Sequence, residues 1–298
     1  MKVALISPYE HLASYGIRML AACLKEAGHE CKTLFLTQDF DARYTDEMLK
    51  DILEVLEPFP LIGMGVVTNH VHQVMQLSKA IRATYPEKKI IWGGIHATIE
   101  PDECLQSADM VCIGEGEEAM VELCNKMDSD ADCTDVPNIN FKIGDKIIKN
   151  AARPLVRDLD SFPFPDYDLD DHYVLDRGRL RHMTAEFLNQ NLGGQYVTMS
   201  SRGCTYKCTF CCNNVYIELY KGDRWFRKRS NENIVAELRM VKDKMPYIKE
   251  IYFDDDAFLA RSVRETQEFC DFYAREIALP FIVTGITPTS ITEEKLEL

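Results

Sequence analysis

The sequence has no unbroken apolar run long enough to cross a bilayer, which excludes a membrane-spanning helix. Its first residues, MKVALISPYE, carry one lysine and an apolar stretch from Val3 to Ile6 only. That is too short for a secretory core and reads as a first buried strand. Positive charge is in short supply, with 34 Lys and Arg against 48 Asp and Glu for a net −14. So acidic a chain gains little from counterion release, which argues against non-specific binding to nucleic acid. No G-x-G-x-x-G and no Walker-type lysine loop occurs, so NAD and ATP are poor ligands to expect. Internal repeats and low-complexity tracts are also absent. What remains is ordinary for a folded soluble protein, 46% hydrophobic and 28% charged.

Cysteine, by contrast, is abundant, with 11 residues. Without a secretion signal, metal or redox chemistry explains that better than a disulfide framework, and a cytoplasmic location follows as an expectation. Cys23, Cys31, Cys104, Cys112, Cys124, Cys133 and Cys270 are scattered singly and read as small core hydrophobes. Cys204, Cys208, Cys211 and Cys212 are bunched.

Up to about residue 127 short apolar runs alternate with helix-period segments. Strands are expected at 3–6, 31–36, 61–67, 89–92 and 110–113, with helices at 14–26, 45–56, 70–85, 101–106 and 117–127. The third strand, LIGMGVV, is wholly apolar, as for a strand covered on both faces. Such alternation predicts an α/β fold with an open parallel sheet of flavodoxin-like strand order. Domain boundaries are expected at 1–135, then a hairpin and proline-rich linker at 136–192, then 193–298. The linker reading rests on Pro154, Pro163 and Pro165 in an aromatic-flanked stretch without helical period. A second β/α series has strands at 196–200, 250–253 and 281–285 and helices at 231–244 and 262–276. It ends on a helix just begun, so the second domain reads as C-terminally truncated.

The string SSRGCTYKCTFCC leaves a strand with Cys204, Cys208 and Cys211 spaced C-x3-C-x2-C. Three thiolates this close can converge on one face of an iron–sulfur cubane, whose fourth iron is then open to a small chelating molecule. Zinc is the alternative, and needs a fourth N or S ligand. The last histidine is His182, so Cys212 or Cys270 would have to supply it. A merely packed cysteine loop is the third reading. Downstream, Asp254, Asp255 and Asp256 stand at a strand's C-terminal end, where carboxylates face the ligand side of a β/α barrel, or else cap a helix. The basic run KGDRWFRKRS (Lys221, Arg224, Arg227, Lys228, Arg229) reads as a solvated approach to a helix.

The cysteine loop, with Phe210 just before its third cysteine, resembles the signature of radical S-adenosylmethionine (SAM) enzymes. The resemblance implies a [4Fe–4S] cluster on Cys204, Cys208 and Cys211, SAM on the open iron, and reductive cleavage to a 5′-deoxyadenosyl radical. It places Phe210 beside the adenine and makes Asp254, Asp255, Thr284 and Thr287 candidate SAM contacts. Upstream, SYGIRMLAACLKEAGHE, IIWGGIHAT, CIGEGEEAMVEL and the FPFPDYDL linker resemble the cobalamin (B12)-binding-domain radical SAM proteins. The implied architecture is a flavodoxin-like, B12-binding-type domain followed by a partial radical SAM β/α barrel. The implied activity is cobalamin-dependent methyl transfer to an unactivated carbon of a small-molecule or peptide substrate. A flavodoxin- or ferredoxin-type electron donor goes with it. Loops after strands one, three and four meet at the sheet's switch point. Ser7, Thr68, Gly93, Gly94, His96 and Glu115 are the candidate cobalamin contacts there. The D-x-H-x-x-G string of many cobalamin proteins is absent, and the competing expectations are a radical SAM enzyme without cobalamin that performs rearrangement, cyclisation or desaturation, and a non-catalytic zinc- or cluster-binding regulator. His70, His72 and His96 read as surface or capping residues.

Overall fold

The structure is a computed structural model that describes residues 1–298. They form two compact units, Met1–Arg153 with Pro163–Ala185, and Pro154–Phe162 with Glu186–Leu298. No helix is long and apolar enough to cross a membrane.

The first unit opens with β1 (Lys2–Ser7), α1 (Tyr15–Glu26), β2 (Glu30–Phe35), α2 (Asp46–Leu56), β3 (Leu61–Gly65), α3 (Val71–Thr84) and β4 (Lys89–Gly93). Short α4 (Ile95–Ile99) and α5 (Pro101–Cys104) precede β5 (Met110–Cys112) and α6 (Glu117–Asp128). These five strands are parallel in the order β5-β4-β3-β1-β2, the flavodoxin-like order. Side chains alternate across the pleat, so β1 serves two cores. Val3 and Leu5 pack with Ile17 and Leu24 of α1 and Leu123 of α6. Ala4 and Ile6 pack with Ile52 of α2 and Leu77 and Ile81 of α3. Helices on both faces are the reason β3 carries no polar side chain.

The sheet is wider than the reading of 136–192 as hairpin and linker. The hairpin β6 (Ile139–Ile143) and β7 (Lys146–Ile148) pairs antiparallel onto β5. At the opposite edge β8 (His172–Asp176) runs parallel to β2, and β9 (Arg179–His182) turns back on it, making nine strands. The acidic string before β8, part of the stretch read as linker, is held by distant cations. Lys25 pairs with Asp166 at 2.8 Å and Asp171 at 2.7 Å, and Lys32 with Asp171 at 2.6 Å. Arg18, fully buried, donates to the Asp166 carbonyl at 2.7 Å and lies 3.8 Å from the Tyr167 ring centroid.

The second unit contains most of α7 (Ala185–Leu192), then β10 (Gln195–Thr198), β11 (Ser201–Arg202), α8 (Asn213–Leu219), β12 (Arg227–Lys228) and α9 (Asn231–Lys244). It continues with β13 (Glu250–Phe253), α10 (Val263–Glu276), β14 (Phe281–Val283) and α11 (Glu293–Leu296). Strands β10, β13 and β14 form a parallel sheet in that order, and β11 with β12 an antiparallel ribbon. Thr198 is in register with Phe253, and Phe253 with Val283. All three strands therefore end together, and the loops that follow leave from one edge. Beneath them Phe253 sits among Phe258, Phe269, Tyr273 and Phe281, with centroids 5.6 to 6.2 Å away.

Candidate functional site

The edge loop of the second unit carries the cysteines. All eleven cysteines are free thiols. Five of the scattered seven (Cys23, Cys31, Cys104, Cys112, Cys124) are buried, while Cys133 and Cys270 are partly buried. Burial pushes the thiols of Cys104, Cys112 and Cys124 up to about 12, so they pack as neutral side chains.

The bunched four are open by comparison, with Cys208 exposed and Cys204, Cys211 and Cys212 half-buried. Two sulfurs receive N–H bonds from the loop itself. The backbone N–H of Tyr206 donates to Cys204 Sγ at 3.4 Å, and Asn213 Nδ2 donates to Cys211 Sγ at 3.6 Å. Burial raises the Cys212 thiol to about 11, reinforced by the adjacent Cys211, which leaves it protonated near neutrality. No three His, Cys, Asp or Glu side chains stand together as a ready metal-binding set. In donor chemistry the loop fits an iron–sulfur cluster: three sulfurs, two already hydrogen-bonded, and Phe210 standing 92% exposed beside the third.

Neighbouring loops contribute contacts of different kinds. Thr284 Oγ1 donates to Asp254 Oδ1 at 3.2 Å, and Asp254 is exposed. Asp255 is buried, and its carboxylate is spent inside the unit. It accepts from Ser200 N at 3.0 Å, Ser200 Oγ at 2.7 Å, Ser201 Oγ at 2.6 Å and Ser201 N. Of the two carboxylates singled out in the sequence, Asp254 is the one open to a ligand. Thr287 and Ser290 cap a short turn, and Thr289 Oγ1 in that turn donates to Tyr206 OH in the cysteine loop at 3.2 Å.

The basic run is not a solvated face. Lys221 and Arg224 are exposed, but Arg227 is buried and donates to the Val156 carbonyl at 2.6 Å. Lys228 pairs with Glu265, and Arg229 with buried Glu237 at 2.6 Å. These three cations hold the unit together. Charge density in the sequence could not reveal it, because their partners lie in other elements.

At the switch point of the first unit, the loops after β1, β3 and β4 do converge. Ser7 Oγ lies 2.5 Å from Ser14 Oγ, and Thr68 Oγ1 lies 3.2 Å from His96 Nδ1. Gly114 N donates to Thr98 Oγ1 at 3.0 Å, bringing in the loop after β5. Gly94 has φ +96, and a Cβ there would lie 3.1 Å from the Val66 carbonyl, so the chain's own turn demands this glycine. A Cβ on Gly93 would meet only ordinary contact, 3.6 Å from Cys112 Cβ, so the turn does not demand glycine there. Glu115 is half-buried in the loop just before α6.

Of the three histidines read as surface or capping residues, His72 lies at the surface, and the burial of the other two departs from that reading. His72 is exposed, whereas His70 and His96 are 7% and 5% exposed. Neither nitrogen of His70 has a hydrogen-bond partner, nor does Nε2 of His96. Burial lowers the His70 pKa and keeps its ring neutral. Unsatisfied buried nitrogens of this kind fit a pocket for a polar, amide-bearing ligand. The sequence carried no sign of their burial beyond their place after apolar strands.

Comparison with known proteins agrees with both halves. Residues 1–124 match the family model described as the B12 binding domain. The chain is 26% identical over 257 residues to the uncharacterized methyltransferase PH0819 of Pyrococcus horikoshii, covering 84% of this chain and 50% of that protein. It is also 26% identical over 263 residues to the anaerobic magnesium-protoporphyrin IX monomethyl ester cyclase of Cereibacter sphaeroides, covering 86% and 39%. The chain thus spans half or less of the length of these relatives. In fold it resembles the radical SAM methyltransferase TsrM of Kitasatospora setae, solved with cobalamin and a [4Fe–4S] cluster bound. The TM-score is 0.69 at 18% identity, over 99% of this chain and 58% of that one. Residues 1–124 thus match the B12 binding domain, and the chain as a whole, from the parallel sheet that opens it to the cysteine loop that follows, shares its fold with a radical SAM methyltransferase.

Proposed function

We propose that this chain is a radical SAM enzyme that transfers a methyl group to an unactivated carbon with the help of cobalamin. Residues 193–298 would bind the cluster and SAM, and residues 1–135 the cobalamin. When bound, the [4Fe–4S] cluster supplies the electron that cleaves SAM to a 5′-deoxyadenosyl radical, and cobalamin supplies the methyl group.

The chain's own residues divide the remaining work. Cys204, Cys208 and Cys211 present three sulfurs from one loop. Asp254 offers an exposed carboxylate to the SAM ammonium group, and Thr284 holds that carboxylate in place. Phe210 gives the adenine an apolar face, and Thr287 shapes the turn that meets the loop through Tyr206. In the first unit Ser7, Thr68, Gly93, Gly94, His96 and Glu115 line the strand ends where cobalamin would sit. The observation that carries the reading is the common edge of β10, β13 and β14, which gathers the cysteine loop, Asp254 and the 284–290 turn.

The substrate in this proposal is a small molecule or peptide, the electron donor a flavodoxin or ferredoxin, and the location the cytoplasm. The similarity to a cyclase favours one second reading, a radical rearrangement or cyclisation without methyl transfer.

The test is anaerobic. The chain is loaded with iron, sulfide and hydroxocobalamin, desalted, and its absorption spectrum recorded. Stoichiometric corrinoid bands, and methyl-labelled SAM passing its label to cobalamin, are expected. No retained corrinoid would move the chemistry to the second reading, and no cluster absorption would remove both.

A further inference from the structure

The three cysteines are not the only residues that the loop's folding sets against a sulfur. Asn213 stands two residues beyond Cys211, buried at the start of α8, and its Nδ2 donates to Cys211 Sγ at 3.6 Å. Its other amide atom is fixed as well, since Oδ1 accepts the indole N–H of Trp225 at 2.7 Å. That bond settles which end of the amide faces the sulfur, because an acceptor must meet the indole donor.

Trp225 is itself held on several sides. Tyr216 and Tyr220 stack on it with centroids at 4.9 and 5.7 Å and planes within 9°. Arg227 lies 5.7 Å from its ring centroid, and Arg227 Nε donates to its carbonyl at 3.4 Å. The same residue also closes the front of the cysteine loop. A Cβ on Gly203 would stand 2.5 Å from the Trp225 carbonyl oxygen and 2.8 Å from its indole nitrogen. One tryptophan therefore braces the residue before the first cysteine and aims the amide that meets the third.

We propose that Asn213, aimed by Trp225, raises the reduction potential of the iron–sulfur cluster by its N–H···S bond to Cys211. The inference rests on the reading of the three cysteines as cluster ligands. A donor on a ligand sulfur withdraws negative charge and stabilises the reduced, more negative cluster. Asn213 and Trp225 are positioning residues, since neither touches SAM or iron in this account.

The test uses the full chain, reconstituted anaerobically with iron and sulfide and titrated by electron paramagnetic resonance without SAM. Asn213→Ala should keep the iron content and shift the reduced-to-oxidised ratio at fixed potential toward oxidised by roughly two- to tenfold. Tenfold corresponds to about 59 mV in a one-electron couple. Trp225→Phe keeps the stacking but loses the N–H, and should shift the ratio the same way by less. The double variant should shift no further than Asn213→Ala, because Trp225 acts through Asn213. An unchanged potential in Asn213→Ala overturns the proposal, and so does an additive double variant.

A second measurement needs no variant at Asn213. With 15N-asparagine incorporated, pulsed resonance of the reduced wild-type cluster should show a nitrogen coupling that survives in Asn214→Ala. Its absence also overturns the proposal. A wild-type chain that forms no [4Fe–4S] signal defeats instead the underlying reading of the cysteines.

Discussion

Asp255 Oδ2 accepts the hydroxyl proton of Ser200 at 2.7 Å, while Arg261 donates to that same hydroxyl oxygen at 2.7 Å. The three residues form a buried chain between the loop after β13 and the strand end leading into the cysteine loop. Burial raises the Asp255 carboxyl against the opposing hydrogen bonds from Ser201 and Ser200 and the positive charge of Arg261. Removing the acceptor strands two backbone donors and a buried guanidinium. Asp255→Ala should destabilise the chain by about 3–5 kcal/mol. Asp254→Ala, at an exposed site, should cost under about 1 kcal/mol and instead weaken SAM binding. Urea unfolding followed by circular dichroism, beside SAM affinity of the reconstituted protein, checks the contrast.

Gly203 has φ +82 and no room for a side chain beside Trp225. Gly203→Ala combines a left-handed backbone penalty with displacement of the tryptophan, and should cost at least about 2 kcal/mol. Its tryptophan fluorescence should shift, since one of the two tryptophans leaves its stack. An unmoved spectrum with undiminished stability would count against the bracing role of Trp225.

Cysteine substitutions should separate ligands from bystanders. Cys208→Ala should abolish the cluster and SAM cleavage, read as iron and sulfide content and 5′-deoxyadenosine release. Cys212→Ala should retain both, because Cys212 lies outside the C-x3-C-x2-C triplet. Cluster content surviving in Cys208→Ala would refute the ligand assignment.

The ties of the 166–172 segment predict a pH dependence. Burial pushes the Asp166 carboxyl up, but bonds from His172 at 3.2 Å and Lys25 at 2.8 Å outweigh it and hold the group well below the usual range. A lowered carboxylate contributes stability that is present above its unfolded pKa of about 3.9 and lost as pH falls through the folded value. Burial also lowers the pKa of His172, against the opposing bond to Asp166. Its contribution is full above about pH 6.5 and is lost on acidification through the folded pKa. Stability should therefore fall in two steps below about pH 6.5. His172→Gln should remove the upper step and Asp166→Asn the lower one, which begins below about pH 3.9, read as urea midpoints from about pH 2 to about pH 7.5.

Local pattern sufficed where chemistry is local. Apolar runs of strand length alternating with helical period predicted β1 to β5 and their order, since a two-sided parallel sheet needs both features. The spacing of Cys204, Cys208 and Cys211 marked the loop, because ligands of one cluster can come from one short segment. Pattern failed where partners are distant. β8 and β9 read as linker in the sequence because the acids before them find Lys25 and Lys32 only in three dimensions. Arg227, Lys228 and Arg229 looked solvated because Val156, Glu265 and Glu237 come from other segments.

By itself the sequence determined the fold class and the sulfur-rich loop, since periodicity and spacing are properties of one continuous segment, and its motifs carried the resemblance to cobalamin-binding-domain radical SAM proteins. Tertiary structure alone decided which of two adjacent carboxylates faces solvent, which histidines are buried, and that a distant tryptophan aims an amide at Cys211. The reason is physical. Burial and hydrogen-bond partnership are set by the segment that packs opposite, and a residue's neighbours in sequence carry no record of it.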